Sequence, residues 1–146
     1  MTSPYLPTEL CEIAPDVDTA PFWEGCRDRQ LRFQRCRGCG RFRHPPIAGC
    51  PDCGNRDTDW VAVSGFGHVY TFTIVHHAVV PALASAVPYN AALIAIDDAP
   101  GVHLISNVID AAPHELDIGM PVEVHWEEAA SGVVLPRFRK RRSTAR

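Results

Sequence analysis

CRGCGRFRHPPIAGCPDCG, residues 36–54, holds four of the chain's six cysteines in two pairs, Cys36 with Cys39 and Cys50 with Cys53. Two residues between the cysteines of a pair let both sulfurs of a tight turn face one ion. Two such turns close a tetrahedral set of four thiolates, which suits zinc. Glycine follows each pair, at Gly40 and Gly54. Left-handed backbone angles cost glycine little there, and turn amides can donate to the sulfurs. A catalytic zinc keeps an open position, whereas four cysteines fill the shell. The spacing therefore predicts one structural zinc that binds as the chain folds. His44, in the loop between the pairs, is a competing donor that four thiolates make unnecessary. Iron held by four cysteines satisfies the same spacing.

Disulfides are the other use of paired cysteines. The N-terminus, MTSPYLPTELCEIAPDVDTAP, has neither the basic nor the apolar region of a signal peptide. The least charged stretch, residues 78–96, is broken by Pro81, Pro88 and Asn90, so it does not read as a membrane span. A cytoplasmic protein without a membrane role is expected. Thiols stay reduced in that compartment, which favours metal.

Working outward, charge divides the 146 residues into four blocks. Residues 1–26 carry five acids and no Lys or Arg; residues 27–56 carry eight arginines and two acids. Residues 57–136 carry ten acids and no Lys or Arg, and residues 137–146 six bases and no acid. The pattern of elements divides similarly. Residues 1–17, with three prolines and no periodicity, read as an extended arm. Residues 18–63 read as a helix plus the cysteine ribbon. Asp18 or Thr19 is placed to cap the helix, Pro21 suits its first turn, and Phe22, Trp23 and Cys26 share one face. QLRFQRC (30–36) enters the cluster as a strand, and residues 60–63 leave it as another.

Residues 64–140 read as all β. Strands are expected at 65–77, 91–97, 102–110, 122–128 and 133–140, rich in branched and aromatic residues and separated by turn chemistry. The fold class is mainly β: a short N-terminal helix, a zinc ribbon and a five-stranded OB-fold barrel. Residues 141–146 read as a basic tail, and the RKRR run at 139–142 as mobile. His68, Tyr70, Phe72, Ile74 and His76 share a face by alternation, so the histidines read as barrel-interior groups. Cys11 and Cys26 are spare thiols without a nucleophile motif. With no phosphate loop either, no catalytic residue is assigned.

The ordered set is an N-terminal helix with Phe-Trp, the Cys-x2-Cys-Gly and Cys-Pro-x-Cys-Gly ribbon, SGFGHVYTFTIVHH, PYNAALIAID, GMPVEVHWE and a closing LPRF. From about Pro21 to Phe138 it resembles the acyl-CoA-associated OB-fold proteins with a rubredoxin-like zinc ribbon, long catalogued as a domain of unknown function. The resemblance implies a non-catalytic accessory subunit of a thiolase-like, lipid-transfer-type thiolase or aldolase enzyme. The wider family also accompanies hydratases. It acts in acyl-CoA metabolism that includes steroid side-chain removal, so acyl-CoA is the implied shared ligand. Within that reading, Phe22, Trp23, Val80 and Leu83 are candidate partner anchors, because aromatic and apolar anchors dominate interfaces. Arg32, Arg35, Arg41 and Arg43 are candidates for CoA phosphates, which arginine forks fit. A nucleic-acid-binding zinc-ribbon/OB protein is the alternative. The cation-free barrel segment argues against it, since single-strand binding needs a basic groove.

Overall fold

The computed structural model describes residues 3–142. A 3-10 turn at Thr8–Leu10 interrupts the N-terminal arm, and helix α1 spans Ala20–Arg27. The helix is not capped as the sequence suggests. Thr19 Oγ1 accepts from the Asp16 amide and donates to Asp16 Oδ1, while Asp16 Oδ1 also accepts from the amides of Asp18 and Thr19. Asp16, one turn earlier, thus organises the entry, and these bonds hold its carboxyl below the usual range. Phe22 and Cys26 are buried.

The ribbon is a three-stranded antiparallel sheet of order β2-β1-β3, with β1 at Arg32–Cys36, β2 at Phe42–Arg43 and β3 at Thr58–Ala62. Phe33 is fully buried and lies 6.1 Å, centroid to centroid, from Phe22. One apolar cluster therefore joins helix, ribbon and barrel.

The second sheet has the order β6-β5-β4-β7-β8, all antiparallel. Its strands are β4 Phe66–Val75, β5 Tyr89–Ile96, β6 His103–Ser106, β7 Pro121–Glu128 and β8 Val134–Lys140. This is the expected five-stranded OB architecture, curled into a half-barrel. Gly67 sits at the bend, paired with Ile96 on one side and Val122 on the other. A Cβ there would lie 2.5 Å from the Ala95 carbonyl oxygen, closer than real contacts allow, so the two backbones can approach only across glycine.

The strict alternation expected along β4 fails at one point. Val69 pairs with Ile94 and Thr71 with Leu93, which leaves Tyr70 as the extra residue of a bulge. A bulge shifts the phase of every later side chain. Val69 is buried and His68 and Tyr70 are exposed, yet beyond the bulge Phe72 and Ile74 pack on the core. His68 and His76 are exposed rather than interior, which corrects the sequence reading.

The sheet closes through a short parallel bridge between Val108 and Phe138. The Phe138 amide donates to the Asn107 carbonyl and the Ile109 amide to the Phe138 carbonyl, at 2.9 and 2.8 Å. Two residues before Phe138, on the same edge of β8 by strand alternation, stands Pro136. Proline has no N–H to give, and Ser106 Oγ takes its carbonyl at 2.6 Å. The seam between β6 and β8 therefore zips at Phe138 and opens at Pro136.

The RKRR run is not a loose tail through Arg141. Arg139 meets Glu123 at 3.1 Å and Lys140 meets Glu115 at 3.2 Å. The Arg141 amide donates to the Pro121 carbonyl, and its guanidinium lies 3.8 Å from the Phe66 ring centroid. The rest of the tail, 143–146, lies outside the described residues.

Candidate metal centre and the seam beside it

The two cysteine turns are built alike. In the first, the Cys36 amide donates to the Arg41 carbonyl and the Gly40 amide to the Cys36 carbonyl. In the second, Cys50 donates to Asn55 and Gly54 to Cys50, all at 2.9 Å. Gly40 and Gly54 have φ of 75° and 77°, the left-handed region that a side chain would oppose. The β1–β2 and β1–β3 pairings then bring the turns together. The four sulfurs lie within 4.8 Å of one another, with Cys36–Cys53 at 3.5 Å and Cys39–Cys50 at 3.6 Å. Four sulfurs about 2.3 Å from a tetrahedral zinc stand about 3.8 Å apart, so the donor set fits the ion. All six cysteines are free thiols.

The Cys39 amide holds the Cys36 thiol down to about 6, against the opposing effect of burial. The Gly38 amide also donates to its sulfur at 3.3 Å. Donors of this kind favour the thiolate at Cys36, and the Cys50 thiol is lowered too, whereas Cys39 and Cys53 are raised because the neighbouring sulfurs oppose the Arg41 and Asn55 amides. His44 is elsewhere: its ring packs 5.1 Å from Phe22 and 5.3 Å from Phe33. Burial pushes its pKa down to about 4.

The four arginines do not converge. Arg32 is bound to Asp28 and Gln30, and Arg41 to Asp52 at 2.9 Å. Arg43 serves the ribbon, donating to Gln34, Thr58 and the Ile47 carbonyl. Arg35 lies over the Phe42 ring at 5.8 Å. A hollow beside the second cysteine turn is lined by Arg41 and Arg43 but not by Arg32 or Arg35. Of the proposed anchors, Phe22 is 5% and Leu83 9% exposed. Both serve the interior, because the helix and the 3-10 turn at Pro81–Leu83 each need an inward side chain. Trp23 is half-buried and Val80 stands at the surface, beside the more exposed Val79.

The ribbon and the half-barrel each match a described domain. Residues 23–59 match the ChsH2 rubredoxin-like zinc ribbon domain, and residues 60–127 match the ChsH2 C-terminal OB-fold domain. The chain belongs to the ChsH2 family.

A chain of the Ltp2-ChsH2(DUF35) aldolase superposes with a TM-score of 0.79 at 39% identity, covering 88% of this chain and 98% of that one. A probable enoyl-CoA hydratase alpha subunit of Thermomonospora curvata is 40% identical over 122 residues, covering 84% of this chain. The 3-oxo-4,17-pregnadiene-20-carboxyl-CoA hydratase alpha subunit of Mycobacterium tuberculosis is 35% identical over 120 residues, covering 82%. The chain spans only 37% of the length of either alpha subunit. A DUF35 domain-containing scaffold protein of Methanocaldococcus jannaschii is 33% identical, covering 77% of this chain and 82% of that one.

In this ChsH2-family chain the sequence reading missed a ring of buried and half-buried polar groups at the seam. The Tyr5 hydroxyl accepts from the Asn90 amide and from Asn90 Nδ2, each at 2.8 Å. Asn90 Oδ1 accepts from the Val108 amide, and Asn107 Nδ2 donates to the Asn90 carbonyl. Arg137 donates to Asn107 Oδ1 and to Glu127 Oε1, and Glu127 Oε2 accepts from the Tyr5 amide, closing the ring. Tyr5 thereby fastens the N-terminal arm across the barrel. Asparagines inside the apolar runs PYNAALIAID and LISNVID were the available signal, since a polar residue within a core strand must find partners.

Proposed function

We propose that the chain is a metal-stapled accessory subunit that associates with a thiolase-like or lipid-transfer-type enzyme and helps it hold or turn over an acyl-CoA. The observation that carries this reading is the 39% identical likeness to a chain of the Ltp2-ChsH2(DUF35) aldolase, which extends over 98% of that chain. The hydratase alpha subunits among the relatives extend the range of partners to a hydratase. One of them is named for a steroid acyl-CoA, which supports a place in steroid side-chain or related lipid degradation. Zinc is the metal proposed for the four thiolates, on their number and spacing.

The chain's own architecture supports a non-catalytic role. His68 reaches Asp97 at 3.5 Å in an exposed pair, and His103 stacks on Tyr70 with centroids 4.4 Å apart. Neither arrangement presents a nucleophile to a base. Three of the four candidate arginines, Arg32, Arg41 and Arg43, hydrogen-bond within the chain, and residues 57–136 carry no Lys or Arg to line a groove for a nucleic-acid backbone. No helix among the described residues is long and apolar enough to cross a membrane, and a cytoplasmic setting is proposed. The test is turnover of a CoA-ester panel by the purified chain, by the partner enzyme and by both together. The expected result is activity that needs the partner and rises with the chain. Turnover by the chain alone would make it an enzyme in its own right.

A further inference from the structure

Pro136 opens the seam between β6 and β8, and α1 and the Pro45–Pro46 segment of the ribbon cover the opening. The space left beneath is a cavity of about 420 Å³. Phe22, Trp23, Pro46, Leu93, Ile105 and Leu135 are among its apolar lining residues. A cavity of about 150 Å³ holds a benzene ring, so this one has room for roughly two to three such groups. Ligand pockets are usually of this kind: apolar, partly open and built where two modules meet.

Its polar side chains are Thr19, His44, His103, Ser106 and Arg137. Among the described residues, Arg137 is the one Lys or Arg in the wall. Its guanidinium is already used by Glu127 at 3.3 Å and by Asn107 at 2.6 Å. Ser106 has spent its hydroxyl proton on the Pro136 carbonyl. His44, wedged between Phe22 and Phe33, is neutral at pH 7 because burial lowers its pKa to about 4. Among the described residues an anion would meet no unpaired Lys or Arg here, whereas an uncharged hydrocarbon would leave the bonds of Arg137 and Ser106 intact. The entrance is apolar as well. Ile105 on β6, 76% exposed, lines the opening.

We infer that the seam cavity, formed where Pro136 interrupts the β6–β8 closure beneath Trp23, binds the uncharged apolar ring or alkyl end of a small molecule. Identifying that group as the acyl end of an acyl-CoA rests on the accessory-subunit reading above; the cavity's preference for neutral hydrocarbon does not. The division of labour is chemical. The seam would take the acyl end, and the charged CoA end would lie outside it.

The experiment uses the full zinc-loaded chain with leucine and isoleucine methyls labelled for NMR. Naphthalene is the neutral probe, and octanoyl-CoA and free CoA are competitors. Saturable shifts at Leu93, Leu104, Ile105 and Leu135 are expected with naphthalene. Octanoyl-CoA should displace the probe and free CoA should not. Ile105→Glu lies at an exposed position, so the fold should survive, and it should weaken naphthalene at least tenfold. Leu93→Glu, on the outer side of β5, provides a second variant. Absence of saturable shifts in the wild-type chain, or unchanged binding in both variants, would overturn the cavity assignment. Displacement by free CoA as effective as by octanoyl-CoA would overturn the preference for the acyl end. Neither result touches partner association, which is measured separately by co-purification.

Discussion

Arg137 Nη1 donates to Asn107 Oδ1 at 2.6 Å, joining β8 to the end of β6 beside the point where Pro136 parts them. The same guanidinium meets Glu127, and both side chains are 11% exposed. A buried pair of this kind adds little net stability over apolar residues, but losing one member leaves the other charge stranded. Arg137→Met is expected to cost about 3 kcal/mol, on the scale of such stranded charges. Adding Glu127→Gln should recover part of that loss. Urea unfolding midpoints of the two variants check the order, and a double variant less stable than the single would contradict it.

Tyr5 ties the arm to this ring through two donors of Asn90. Tyr5→Phe keeps the ring's shape and removes the acceptor. The Asn90 amide then loses its partner, while Asn90 Nδ2 keeps the Val108 carbonyl, and about 1–3 kcal/mol of stability is expected to go with the lost bonds. Hydrogen exchange at the Asn90 amide should quicken in the variant. Protection equal to wild type would mean that the arm is not seated as described.

How far the sequence carried the fold depends on the range of each interaction. The cysteine turns were legible because Cys-x2-Cys-Gly is a local motif: each turn is completed by its own amides within six residues. The barrel strands were legible through their composition. The bulge at Tyr70 was not, since the pairing with β5 creates it and nothing in GHVYTFT marks it. The face carrying His68 was consequently read inside out. The seam ring brings together Tyr5, Asn90, Asn107, Glu127 and Arg137, with bonded partners up to 122 positions apart, and spacing cannot reveal that. Arg41 looked available in sequence because Asp52, eleven residues on, comes next to it only when the ribbon folds; Asp28, four residues before Arg32, was legible as its partner.

The closed four-sulfur site implies about one zinc per chain by elemental analysis. Cys39→Ser should lose most of the metal and unfold the ribbon, because binding and folding are coupled. Strong chelation of the wild-type protein should reproduce the loss. Full zinc content and unchanged stability in Cys39→Ser would refute the closed shell.

His44 gives the acid limb of stability a definite sign. Its folded pKa, about 4, lies below the usual 6.5. Above pH 6.5 the ring is neutral whether the chain is folded or not, and it contributes nothing to pH dependence. As pH falls toward 4 the unfolded chain takes the proton first, so stability drops by about 2 kcal/mol by pH 5. His44→Leu should remove this component, leaving a shallower fall between pH 6.5 and 5. Parallel wild-type and variant curves across that window would show that His44 does not titrate as described.

Association with an acyl-CoA enzyme is the central claim, and isolation of the tagged full chain from its native cells under mild conditions, with quantitative mass spectrometry, tests it most directly. The expected result is a thiolase-like or hydratase enzyme in fixed ratio with the chain, whose CoA-ester turnover falls when the chain is stripped away and returns when it is added back. A chain recovered without any such enzyme, under conditions where its zinc and fold are intact, would contradict the account.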